Sequence, residues 1–119
     1  MTSAKRHQRQ MRLPMIGREG QRVLGELHAR VGASGDEGIV AARYLAGAGV
    51  GRLTVVDAEV AASAHRLDAG VTTTIEPGIA AAPPMAELDD MDPAARSVAR
   101  GARTAVRILV GALGSGRPA

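Results

Sequence analysis

Between residues 28 and 60 the chain reads HARVGASGDEGIVAARYLAGAGVGRLTVVDAEV, with Gly35 and Gly38 opening an apolar helical pattern and Asp57 closing a β-branched run. Such a spacing suits a nucleotide. Backbone N–H groups at a helix N-terminus face phosphates, glycine lets the ligand approach, and open α/β sheets place ligands at the carboxyl ends of their strands. The same stretch also works against that use, because Asp36 and Glu37 put carboxylates beside the expected phosphates. Like charges about 4 Å apart cost on the order of 1 kcal/mol in water, and several times that where partly desolvated. Each residue also has a plainer use. Gly35 and Gly38 serve a tight turn with close helix packing whether or not a ligand is present, and Asp57 can cap the turn after its strand. His7 and His65 have no partner at metal-ligand spacing, so no metal site is expected. His28 is expected to be exposed.

The elements that must position these residues follow from periodicity and punctuation. Residues 4–13 read as a short polar helix closed by Pro14. MIGREGQ reads as a loop, and Val23, Leu24 and Leu27 then predict a helix over 20–28. Residues 29–32 make a poor strand, because a strand buried on both faces is apolar throughout and Arg30 interrupts this one. Residues 37–47 are the firmest helix, with Gly47 and Gly49 supplying its C-terminal cap. RLTVVD (52–57) reads as a strand, the Ala-rich stretch after it as helical or loose, and VTTTI (71–75) as a further strand ended by Pro77-Gly78. AAAPPMAELDD has the composition of a linker. Asp92 and Pro93 predict the N-cap and first turn of a last helix over 93–113. On that helix Arg96, Arg100, Arg103 and Arg107 share one face, and Val98, Ala102, Ala105, Leu109 and Ala112 the opposite one. An arginine stripe of this kind is most often a solvated face; contact with phosphate backbone or an acidic partner is the minority use.

Composition narrows the function classes. At 119 residues the chain is one domain at most. Apolar residues make up 45%, but Phe and Trp are absent and Tyr44 is the sole aromatic. An Ala/Gly-rich core buries little area per side chain at roughly 25 cal/mol per Å², so marginal stability or completion by another chain is expected. The net charge of +3, carried by fourteen arginines and Lys5, is too small to argue nucleic acid, and no aromatic platform accompanies it. Absence of cysteine excludes disulfides, thiolate zinc and a catalytic thioester cysteine within this sequence. No run approaches the roughly 18 apolar residues of a membrane span, and MTSAKRHQRQ has no apolar core of the signal-peptide kind. The cytoplasm is the expected compartment.

The blocks RHQRQ (6–10), GREGQRVL (17–24), ASGDEG (33–38) and AGVGRLTVVDAE (48–59) occur in the order of motifs in the ThiF/MoeB-like family. These adenylating enzymes activate ubiquitin-like proteins and sulfur carriers, and residues 6–59 resemble them. The resemblance implies an α/β fold: a truncated Rossmann-like adenylating-enzyme domain with a small sheet and flanking helices, spanning 1–119. Within it, 61–92 would be a linker or partner-dependent stretch and 93–113 the closing helix.

It also implies site residues. Arg9 would be the arginine that reaches the neighbouring protomer's nucleotide, Asp57 the ribose-binding acid and Glu59 the acid after it. Gly35 and Gly38 would be two of the three fingerprint glycines, with Ala33 at the first position. Arg66, in SAHRL, would be the remnant of the family's arginine segment. The implied cofactor is ATP with Mg2+. Against this, Asp36-Glu37 replaces the fingerprint Gly-Leu, and no lysine follows Lys5 although the family's catalytic lysine lies beyond the acid strand. The expected function is therefore that of a degenerate subunit or pseudo-enzyme, pairing with itself as a homodimer or with a full-length family member. Working ATP-dependent adenylation of a small carrier protein or peptide is the alternative, and a non-catalytic nucleotide-binding module a third reading. Neither nucleic acid nor membrane is an expected partner.

Overall fold

The computed structural model describes residues 17–115, so the expected helix over 4–13, with His7 and Arg9, lies outside the described residues. The chain then runs α1 (Gly17–Glu26), β1 (His28–Val31), α2 (Gly35–Ala48), β2 (Arg52–Val55), α3 (Ala58–Leu67), β3 (Thr72–Ile75), a 3₁₀ turn (Ala86–Leu88) and α4 (Pro93–Ser115). The first helix starts at Gly17, inside the stretch expected as loop, and ends at Glu26. Residues 61–92, expected as a linker or partner-dependent stretch, hold most of α3, all of β3 and the 3₁₀ turn.

The three strands are parallel in the order β1-β2-β3, with Ala29 opposite Leu53 and Val31 opposite Val55, and with Leu53 opposite Thr73 and Val55 opposite Ile75. This is a small Rossmann-like α/β arrangement of two successive βαβ units. Both crossovers step in the same direction, so one handedness brings both helices to the same sheet face. There α2 packs on β1 and β2, α3 on β2 and β3, and the two helices on each other. Ala29, Val31, Leu53, Val55, Leu45, Ala42, Val60 and Ala64 form the core between them.

The one-sided cover explains β1. Burial alternates along it, with Ala29 and Val31 buried and His28 and Arg30 exposed. The requirement for continuous apolar strands applies to sheets covered on both faces. Here the second face presents His28, Arg30, Arg52, Thr54, Thr72 and Thr74. Of these only Thr54 is buried, and its hydroxyl hydrogen-bonds the His28 ring. β1 is an edge strand, and its charges suit an exposed edge.

The helix ends are set locally. Gly49 takes the left-handed conformation that closes α2, donating to Ala46 O and Leu45 O, and the Gln21 side-chain amide donates to the last-turn carbonyl of Ala48 at 3.1 Å. Asp92 accepts from Ala95 N at 3.1 Å, the expected N-cap of α4. That helix docks along α2 and reaches α1 with a face turned somewhat from the one the sequence pattern predicts, although Ala105 and Leu109 lie in it as expected. Gly101 and Ala105 are buried and Ile108, Leu109 and Leu113 pack on the core, whereas Val98 stays 50% exposed. The cause is Gly101: a Cβ there would lie 2.5 Å from Glu37 O and 2.8 Å from Val40 Cβ. Only glycine allows this approach, and it turns the helix so that Arg100 also faces α2.

Candidate functional site

The β1–α2 turn begins where β1 ends at Val31. Ser34 occupies the N-cap in extended conformation without a side-chain capping bond, so its hydroxyl does not take up the free N–H groups of the first turn. Gly35 has φ +59°, and the space around its missing Cβ is open to 4 Å. An L side chain there would pay the left-handed penalty. Gly38 has the opposite reason. Its Cβ would lie 2.0 Å from Ala33 O and 3.1 Å from Val60 Cγ2, so it lets the turn and α3 close onto α2. One fingerprint glycine serves conformation and the other serves packing.

Asp57 follows β2 and is the N-cap of α3. Its Oδ1 accepts from Val60 N at 3.0 Å, which leaves the second carboxylate oxygen for other partners. Val60 is also the residue that touches the Gly38 position, so Gly35, Gly38 and Asp57 share one corner of the carboxyl side of the sheet. Glu59 is exposed in the first turn of α3. Arg66 is in the last turn of the same helix. At 1.5 Å per residue it stands roughly 12 Å further along the axis, towards the amino ends of the strands. Arg66 is therefore not brought to the corner that holds Gly35 and Asp57.

The two turn carboxylates differ. Asp36 is exposed. Glu37 is not free: its Oε1 accepts from Arg100 Nε at 2.9 Å, with the side chains only 19% and 22% exposed. The guanidinium compensates this carboxylate and holds it against α4. Arg103, one turn on, pairs with Glu87 in the 3₁₀ turn. Part of the arginine stripe is thus committed inside the molecule. The sequence shows the stripe, but the carboxylate that Arg100 meets is 63 positions away, and no spacing rule links the two.

A second feature escapes sequence reading. A Cβ on Gly32, the residue after β1, would lie 2.0 Å from Ala80 O and 3.1 Å from Ala81 Cα. The segment after β3 therefore returns past β2 and rests on the end of β1. Among the described residues no group of three His, Asp or Glu could hold a metal ion. No helix among them is long and apolar enough to cross a membrane.

A family model described as the ThiF family matches residues 7–63, just under half of the chain. Over 55 residues the chain is 46% identical to the protein named adenylyltransferase and sulfurtransferase uba4 of Neosartorya fischeri, and equally so to the proteins of that name in Aspergillus clavatus and Aspergillus fumigatus. The aligned part is 46% of this chain and 11% of each relative. The chain therefore spans a small fraction of the length of the relatives it matches.

Proposed function

From the match of a ThiF-family model to residues 7–63 we propose that the chain is a non-catalytic subunit of the ubiquitin-like and sulfur-carrier activating family. It pairs with a second copy or with a full-length member and contributes fold and interface rather than chemistry. The observation that carries this reading is that the chain's own groups crowd and charge the start of the turn a nucleotide would use. Ala80 rests on Gly32, where the turn begins, and Asp36 leaves an exposed carboxylate in the first turn of α2. An anion approaching that turn meets a like charge where a phosphate site offers bare backbone. The absence of any lysine after Lys5 agrees with this. Exchange of labelled pyrophosphate into ATP, with a peptide ending in Gly-Gly as acceptor, is the test. No exchange is expected, and measurable exchange overturns the reading.

A second reading, nucleotide binding without chemistry, is favoured by one contact. Arg100 draws the Glu37 carboxylate onto α4, so the turn repels phosphate less than its sequence implies. In that case the open backbone at Gly35 would hold phosphate oxygens, and the second oxygen of Asp57 would accept from a ribose hydroxyl. Bound Mg2+ would supply charge neutralisation of the phosphates. Calorimetry with MgATP separates the two readings: the first expects weak or no heat, the second micromolar binding.

A further inference from the structure

We propose that residues 77–85 are a self-inhibitory strap, closed over the carboxyl side of β1 in the isolated chain and opened to admit a phosphate ligand to the β1–α2 turn. The inference rests on the second reading above, that the turn still binds a nucleotide. Three observations carry it. The first is path. β3 ends at Ile75 on one edge of the sheet, Glu76 N still donates to Val55 O at 2.7 Å, and by Ala80 the chain lies on Gly32 beside β1. In four residues it has crossed from one edge strand to the other, passing the carboxyl end of β2 where Asp57 stands. Open α/β sheets bind their ligands on this side.

The second observation is how the crossing is held. At one end Glu76 pairs with Arg30, which projects from β1, and at the other Glu87 pairs with Arg103 of α4. All four side chains are about half exposed. Exposed ion pairs are individually weak and are screened by salt. Between these latches the segment has no backbone hydrogen bond to the sheet beyond Glu76, and Met85 and Leu88 are its buried anchors. The third observation is composition. PGIAAAPPM holds three prolines and no charged side chain. Proline fixes φ and lowers the entropy that an opened strap would regain, so a weakly latched strap can stay closed. A stiff segment, weakly latched and seated on the glycine that ends β1, is built to move as one piece.

The test is the double variant Glu76→Gln/Glu87→Gln in the full chain, which releases both latches and leaves Gly32, Gly35 and Asp57 untouched. Elastase, which cuts after small residues, reads opening of the alanine run 80–82 as a cleavage rate, with the cuts located by mass spectrometry, and calorimetry with MgATP reads binding. Loss of two exposed pairs should speed cleavage in that run on the order of 10-fold and strengthen MgATP binding to a similar extent. Arg103→Gln, made on α4 outside the strap, should change both in the same direction by a smaller factor. Unchanged cleavage overturns the proposal, because the latches then do not hold the strap. Faster cleavage with MgATP bound equally by both proteins also overturns it, and leaves the nucleotide reading standing. Faster cleavage with no MgATP binding by either protein removes the nucleotide reading and the inhibition with it.

Discussion

Asp36 and Glu37 are neighbours in sequence that the fold treats differently, and this is the clearest lesson at the scale of single residues. Glu37 sits in a mostly buried pair with Arg100, whereas Asp36 is exposed at the start of α2. Removing one partner of a mostly buried charged pair leaves the other poorly compensated, and hydrogen bonds to charged groups are worth about 1.5–3 kcal/mol. Glu37→Gln should therefore lower stability by about 1–3 kcal/mol in urea unfolding. Asp36→Asn should change it by less than about 1 kcal/mol, through the helix dipole alone. Equal effects of the two substitutions would show that Arg100 does not hold Glu37 in solution. The same contrast refines the electrostatic argument about the turn. Asp36→Gly should be the change that improves MgATP affinity, while Glu37→Leu should mainly strand Arg100.

At the scale of elements, two glycines of one turn have separable duties. Gly35→Ala imposes the left-handed penalty of about 1–2 kcal/mol on a residue whose surroundings are open. Gly38→Ala puts a methyl group 2.0 Å from a backbone carbonyl. The helix or the turn must then shift, a cost at the upper end of the overpacking range of about 1–3 kcal/mol. Thermal unfolding should rank Gly38→Ala as the more damaging, and the reverse order would show that conformation rather than contact limits the turn. The dock of α4 follows the same physics. Gly101→Val would meet Glu37 O and Val40, so it should destabilise by about 2–3 kcal/mol even though valine is a better helix former than glycine. Loss of the Arg100–Glu37 pair should accompany it.

For the whole molecule, the open question is what covers a sheet with helices on one face only. Both edge strands, β1 and β3, are short, Ile75 is 50% exposed, and much of the core is alanine. Small cores and exposed edges favour association, and a symmetric dimer is the simplest closed form. The proposed pairing predicts more than one chain per particle in light scattering at low micromolar concentration. Deleting residues 1–16 should lower both the assembly state and the melting temperature, whereas Arg9→Ala alone should leave assembly intact. A folded monomer indifferent to the deletion would overturn the pairing.

Much was legible from local pattern because local physics decides it. The helical period and the glycine stop mark α2, β-branched runs mark β2 and β3, and Asp92-Pro93 marks the start of α4; each depends on residues a few positions apart. The motif order of residues 6–59 likewise carried the ThiF-family resemblance before any coordinates did. What sequence could not decide depends on partners far along the chain. β1 looked too polar for a strand because the number of covered sheet faces is a tertiary property. Periodicity places Ala105 and Leu109 on the packed face of α4, but the approach of Gly101 to Glu37 turns the helix enough to leave Val98 exposed. Glu37 looked like a bare charge in a phosphate turn until Arg100 reached it across 63 positions. A side chain's charge is written in the sequence, but whether that charge faces solvent, a ligand or an arginine is settled only when the helices pack.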